Sequence, residues 1–129
     1  NTKIINISGD NEEYFMLENI GHDGYQSGLD YLIGGNDNTS GIAIWHIDEN
    51  QSGNSNFTHK LVDLEEASNA GLDLGSHNGK QTSLFFNGNK TEFSDSTNPN
   101  SKTYLGNSSG ITINNISVAG DSMTFDVSF

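Results

Sequence analysis

The sequence predicts a mostly β domain: an antiparallel, β-sandwich-like arrangement with long polar loops, a C-terminal hairpin and at most one short helix. Three observations carry that expectation. Apolar residues make up only 32% of the chain, yet they gather into compact stretches rich in Ile, Val, Phe and Tyr, as strands do. The stretches between them are rich in Asn (18), Ser (16), Gly (15) and Thr (9), residues that favour turns over disorder when aromatics alternate with them. The closing segment then alternates apolar and polar residues with period two around a short turn. A length of 129 residues suits one domain with one core, here residues 1–129. A chain that opens on Asn1 rather than Met, with no signal peptide, is expected to be a cut-out domain or a processed fragment of a larger protein.

Taken in order, Lys3 to Ser8 is a short strand. Glu13 to Ile20 alternates more clearly, with Tyr14 and Met16 on one side and Phe15 and Leu17 on the other, which predicts burial on both faces. Gly41 to Asp48 is the most apolar stretch and reads as a central strand. One of its faces carries Ile42, Ile44 and His46, and the other carries Ala43, Trp45 and Ile47, with Trp45 expected in the core. His59 to Leu64 fits either a strand or, with Glu65 to Ala67, the start of a helix closing near Gly71. Ser83 to Phe86 and Lys102 to Leu105 are short strand candidates. Gly110 to Val118 and Ser122 to Phe129 form the hairpin, turning at Ala119 to Asp121. Ile111, Ile113, Ile116 and Val118 would face Met123, Phe125 and Val127. Their change of phase at Asn114–Asn115 predicts a bulge.

Composition excludes whole classes of function. Seventeen acidic residues against five lysines and no arginine give a net charge of −12, the wrong sign for nucleic acid or an anionic membrane surface. No apolar run approaches the ~20 residues of a membrane helix. There is no cysteine, so disulfide frameworks, thiolate zinc sites and cysteine nucleophiles are excluded.

The four histidines, His22, His46, His59 and His77, form no HExxH pair, so zinc is not expected in this chain. Nor is there a G-x-S-x-G elbow or a phosphate-binding glycine loop. His59 and Asp63, four apart, could share a metal on a helix, or could simply be polar residues at a strand edge. Residues Asn36 to Gly41 echo the first half of a calcium loop, with Asn36 and Asn38 at alternate positions before a glycine. Asn stands where that loop wants Asp, however, and Ile47 where it wants Glu, so a polar turn explains the pattern as well. Asp63, Glu65, Glu66 and Asp73, with Asp48 and Glu49, form an acidic group that a hard cation would bridge. Structural calcium is therefore expected, with Asp48, Asp63, Glu66, Asp73, Asn36 and Asn38 as its candidate ligands. Tyr25, Tyr31 and Tyr104 lie beside Gly- and Asn-rich loops, where a tyrosine can stack on a sugar ring or simply flank a turn.

Three segments resemble a known family when taken in sequence: Glu13 to Asn19 (EYFMLEN), Ser40 to Glu49 (SGIAIWHIDE) and His59 to Ala67 (HKLVDLEEA). Together with Gly110 to Ser117 and Met123 to Val127, they are similar to the region following the zinc-binding helix in the immune inhibitor A family of secreted bacterial metalloproteases. The resemblance implies a secreted protein and a non-catalytic β region supporting a peptidase core or substrate groove, with the peptidase domain of the same polypeptide as partner. None of the family's HExxH residues has a counterpart here, so no catalytic residue is carried over. Glu18, His46, Asp48, His59, Asp63 and Glu66 lie in the resembling segments and are expected to make ion or interdomain contacts, or to form a buried hydrogen-bond network. The alternative is a free-standing β-sandwich that binds glycan or protein.

Overall fold

A computed structural model describes residues 2–10, 12–21, 40–68, 72 and 81–129. These residues form two antiparallel sheets. Strands β1 (Thr2–Asn6), β2 (Glu13–Ile20), β3 (Gly41–Asp48) and β4 (Val62–Leu64) lie side by side in chain order. Strands β5 (Thr112–Asn114) and β6 (Asp126–Ser128) make a second, two-stranded sheet. The mostly β fold, the antiparallel pairing and the C-terminal hairpin are as the sequence predicts. A 3-10 turn spans Gln81–Ser83, and among the described residues no helix is long and apolar enough to cross a membrane.

The register explains the core. Phe15 pairs with Ile5 on one side and His46 on the other, and Leu17 pairs with Ile44. Side chains alternate along a strand, so Ile5, Phe15, Leu17, Ile42 and Ile44 all project from one face. They pack against Phe85, Phe93, Ile111, Ile113 and Ile116 from the second half of the chain. Phe15, Phe85 and Phe93 are fully enclosed, and Phe93 meets the other two rings edge-on at 5.2 and 5.8 Å. Each such ring, moved out of water, contributes roughly 1.5–3 kcal/mol before entropy is counted. Phe93 also bridges Ile113, which gives β5 a partner on its outer side. At the start of β3, Ile42 exchanges both backbone hydrogen bonds with Phe85. That approach requires Gly41, because a Cβ there would lie 2.8 Å from Leu84 Cβ.

The hairpin carries the predicted bulge. Asn114 pairs with Asp126, and the next contact joins Ser117 N to Thr124 O at 2.9 Å. Two residues, Asn115 and Ile116, therefore oppose the single Phe125. Asn115 takes up the extra residue at φ 51°, a left-handed conformation that asparagine tolerates well.

Several local expectations are corrected. Burial on β2 is one-sided, since Tyr14 and Met16 stay half-buried while Phe15 and Leu17 are enclosed. Trp45 is half-buried on the face away from the core, because pairing Met16 with Trp45 puts both on the sheet's other side. Val118 lies past the bulge and is 65% exposed. Residues 59–67 hold the short strand β4 and no helix. Lys102 to Leu105 is coil and turn, and the 83–86 segment makes one isolated bridge after its 3-10 turn.

Candidate functional site

The core face changes character along its length. Its middle is built of Phe15, Leu17 and Ile44. One step further toward one end, the same alternation brings up Glu13 from β2, His46 and Asp48 from β3 and Asp63 from β4. The register sets these residues side by side: Glu13 opposite Asp48, and His46 opposite Asp63. The chain after β4 continues along β3, with Glu65 N bonded to Ile44 O at 2.9 Å, and this brings the Glu65 side chain back over His46.

His46 is 2% exposed and lies between two carboxylates. Its Nε2 is 2.8 Å from Glu13 Oε1 and its Nδ1 is 3.0 Å from Glu65 Oε1. A neutral imidazole carries one N–H, so only the doubly protonated ring can donate to both. Burial alone would lower the imidazole pKa. The bonds and charges of Glu65 and Glu13 outweigh it and raise the pKa above the ordinary value. Both N–H groups are then committed, and neither nitrogen has a lone pair for a metal or for a substrate proton.

Tyr104 covers this cluster. Its backbone N–H donates to Glu13 Oε1 at 2.7 Å. Its ring is stacked on His46 at 4.3 Å and 11°, and on His59 at 4.1 Å and 28°. Two imidazoles that close cannot share one face of a phenol ring, so Tyr104 is held between them, while Phe15 leans on His46 at 4.4 Å. The Tyr104 hydroxyl is buried and makes no hydrogen bond of good geometry among the described residues, with the Lys60 backbone amide beside it acting as a weak donor. Burial first, then the charges of Asp63 and Glu65, push its pKa far above the usual phenol range.

The other expected site residues take separate partners. His59 Nε2 is 2.5 Å from Asp48 Oδ2. Asp48 also accepts from Asn50 N at 2.9 Å. Although burial would raise the Asp48 pKa, the His59 and Asn50 bonds hold it below the carboxylate range. Asp63 accepts from Lys60 Nζ at 2.6 Å, and residues 62–64 form a strand, so His59 and Asp63 do not lie on one face of a helix. Glu18 accepts from Trp45 Nε1 at 3.3 Å on the opposite face. Glu66 Oε2 accepts from Leu72 N at 2.8 Å, and its buried Oε1 has no partner among the described residues. Asn36, Asn38 and Asp73 lie outside the described residues, as do His22, His77, Tyr25 and Tyr31. Residues 41–47, the second half of the calcium-loop pattern, run as β3. Among the described residues, no three His, Cys, Asp or Glu side chains are arranged to hold a metal ion.

Glu13 is the member that sequence reasoning did not single out; it placed Glu65 only in the acidic group and Tyr104 only among the loop tyrosines, neither as a partner of His46. A usable signal existed for Glu13, which shares the period-two face of Phe15 and Leu17 and so belongs with the core. Tyr104 carried none, because its place depends on a contact 91 residues away.

A second polar centre closes the loop that carries Tyr104. Asp95 accepts from Ser108 Oγ, Ser109 N at 3.2 Å and Gly110 N at 3.4 Å. Ser101, fully buried, donates from Oγ to Ile111 O at 2.7 Å. The Ser108 bond above all, and the amides of Ser109 and Gly110 with it, hold the Asp95 pKa low against the opposing effect of burial.

The chain matches no protein-family model, no curated protein and no solved structure.

Proposed function

We propose that this chain is a non-catalytic β domain of a secreted metalloprotease of the immune inhibitor A type, a structural support for the peptidase core or substrate groove of the same polypeptide. One observation carries the reading. The three resembling segments contribute Glu13, then His46 and Asp48, then His59, Asp63 and Glu65, and all of these meet at one end of the core face. Their polar groups are paired with one another: His46 with two glutamates, His59 with Asp48, Lys60 with Asp63. A centre built this way fixes strand and loop positions, which is the work of a structural support.

The test has two arms. Purified residues 1–129, incubated with casein and zinc, are expected to show no chelator-sensitive cleavage; clear cleavage overturns the non-catalytic assignment. The coding sequence around these residues is expected to encode an HExxH helix upstream, and its absence would favour the free-standing binding module instead. Stabilising calcium, with Asp48, Asp63, Glu66, Asp73, Asn36 and Asn38 as candidate ligands, predicts a melting temperature that rises in millimolar calcium and falls with chelator. A melting curve indifferent to both removes calcium from the proposal.

A further inference from the structure

Strand β1 is an open edge of the four-stranded sheet, and the register fixes which of its backbone groups point outward. Asp48 N bonds to Leu61 O and Glu49 N to Glu12 O. Along β3, therefore, even-numbered residues bond toward β4 and odd-numbered ones toward β2. Carried through the pairs Met16–Trp45 and Phe15–Ile5, the same alternation turns the backbone of Lys3 and Ile5 toward β2. It leaves the N–H and C=O groups of Thr2, Ile4 and Asn6 on the outer side, where no described residue bonds to them. Thr2, Lys3, Ile4 and Asn6 are all exposed, Ile4 at 56%. An open edge of this kind is a template for another strand.

A second feature adjoins the edge. A cleft of about 140 Å³ is lined by Thr2 and Lys3 of β1, by Leu17 and Ile42 of the core face, and by Met123 and Phe125 of the hairpin. It is well below the ~300–1,000 Å³ of a typical small-molecule pocket, so one apolar side chain is the scale that fits. Lys3 lies on the same face as Ile5, so a strand added outside β1 directs the side chain opposite Lys3 to the side where the cleft lies. Free main-chain groups with a pocket for an alternate side chain are how a sheet edge takes up a peptide. The chain's charge of −12 selects the occupant: two copies repel one another, whereas a basic segment is attracted. Glu18, opposite Thr2, sets one of those charges next to the edge strand. We propose that the β1 edge binds a basic peptide in extended form, as an added strand antiparallel to β1, with one apolar side chain entering the cleft.

The probe is the peptide acetyl-Lys-Thr-Val-Leu-Lys-amide, which in that register sets Val against Ile4, Leu against Lys3 and the two lysines against Thr2 and Asn6. Titrated into the isotope-labelled 129-residue chain, it is expected to give saturable NMR shifts. It should also slow hydrogen exchange at Thr2, Ile4 and Asn6 but not at Lys3 and Ile5, whose N–H groups face β2. Methylating the Val nitrogen removes the donor that meets Ile4 O and should weaken binding about tenfold or more. Replacing Leu by Gly should weaken it several-fold, and replacing both lysines by Glu should abolish it at low salt. In the protein, Ile4→Pro removes an outward N–H without cutting a bond to β2 and should abolish binding, with the β2 and β3 signals kept. The methylated peptide asks the same question of the parent protein, whatever the stability of that variant. Shifts that never saturate, a methylated or Gly peptide that binds as tightly as the probe, or shifts that spare β1 would each overturn the proposal. So would protection of the same amides that grows with protein concentration alone, which assigns the edge to a second copy.

Discussion

Residues 94–110 are held from two sides by carboxylate-centred anchors that use opposite chemistry. At the base of the loop, Asp95 gathers neutral donors from residues 13 to 15 positions further along, Ser108, Ser109 and Gly110. At the tip, Tyr104 N binds Glu13 from a strand 91 residues earlier, and its ring is held between His46 and His59. The Asp95 anchor is local and closes the loop on itself, on the exposed side of the molecule. The Glu13–His46–Glu65 anchor is long-range, buried and charged, and it ties the loop to β2, β3 and the segment after β4. A local anchor fails locally when cut. Cutting the buried one leaves uncompensated charge inside the fold, which is far more costly than losing a neutral hydrogen bond.

The largest expected effect is therefore at His46. Replacing it by leucine leaves the Glu13 and Glu65 carboxylates buried without their cation, and should cost about 3–5 kcal/mol in urea unfolding. Adding Glu13→Gln and Glu65→Gln to that variant should recover part of the loss, because each removes a stranded charge. A cost below about 1 kcal/mol would show the buried imidazolium to be no anchor. Asp95→Ala should cost less, about 1 kcal/mol, toward the low end for a lost carboxylate acceptor because water can reach Gly110 and Ser108. Its effect should be confined to faster hydrogen exchange in residues 101–110. Uniform loosening of β2 and β3 in that variant would erase the distinction between the two anchors.

The two anchors also fail in opposite directions of pH. His46 has a folded-state pKa raised above the ~6.5 of a free imidazole. Its contribution is complete below that unfolded value and is lost as pH rises through the folded one. Asp95 is depressed in the folded state. Its contribution is present above the unfolded carboxylate value of ~3.9 and disappears as pH falls through the lower folded value. Urea midpoints measured across pH should accordingly decline on the alkaline side in the parent protein and flatten there in His46→Leu. The acid-side decline should be shallower in Asp95→Ala. An alkaline limb unchanged by the loss of His46 would break the assignment.

How much of this was legible in the sequence depends on the range of the signal. Period-two alternation is local, and it placed β2, β3 and the hairpin correctly, including the phase change that becomes the bulge at Asn115. The same alternation put His46 on a face with Ile42 and Ile44, where the structure finds it. Trp45 went wrong because size and apolarity were allowed to outweigh phase: its neighbours by register, Met16 and Leu64, are on the far side of the sheet. The pairing of His46 with Glu65 depends on the chain running on beside β3 after β4, a tertiary fact with no local signature. The acidic residues looked like one group because they are close in sequence. In space Asp48, Asp63 and Glu65 do share one end of the core face, but each bonds to a different group: His59, Lys60 and His46 respectively.

The smallest expected effect, and the one that separates ring from hydroxyl at the buried anchor, is at Tyr104. Its ring carries the two imidazole stacks, whereas its buried hydroxyl has only a weak contact with the Lys60 backbone amide. Tyr104→Phe keeps the first and gives up only that weak contact, so stability should change by no more than about 1 kcal/mol. Tyr104→Ala removes both stacks and opens the cover over Glu13 and His46, and should cost about 2–4 kcal/mol, near the range for deleting a large aromatic side chain. The Phe variant should also leave the alkaline limb in place, since the Glu13 and Glu65 contacts of His46 and the Tyr104 backbone bond to Glu13 are untouched. A Phe variant as unstable as the Ala variant would mean that the hydroxyl, and not the stacked ring, secures the loop tip to the sheet.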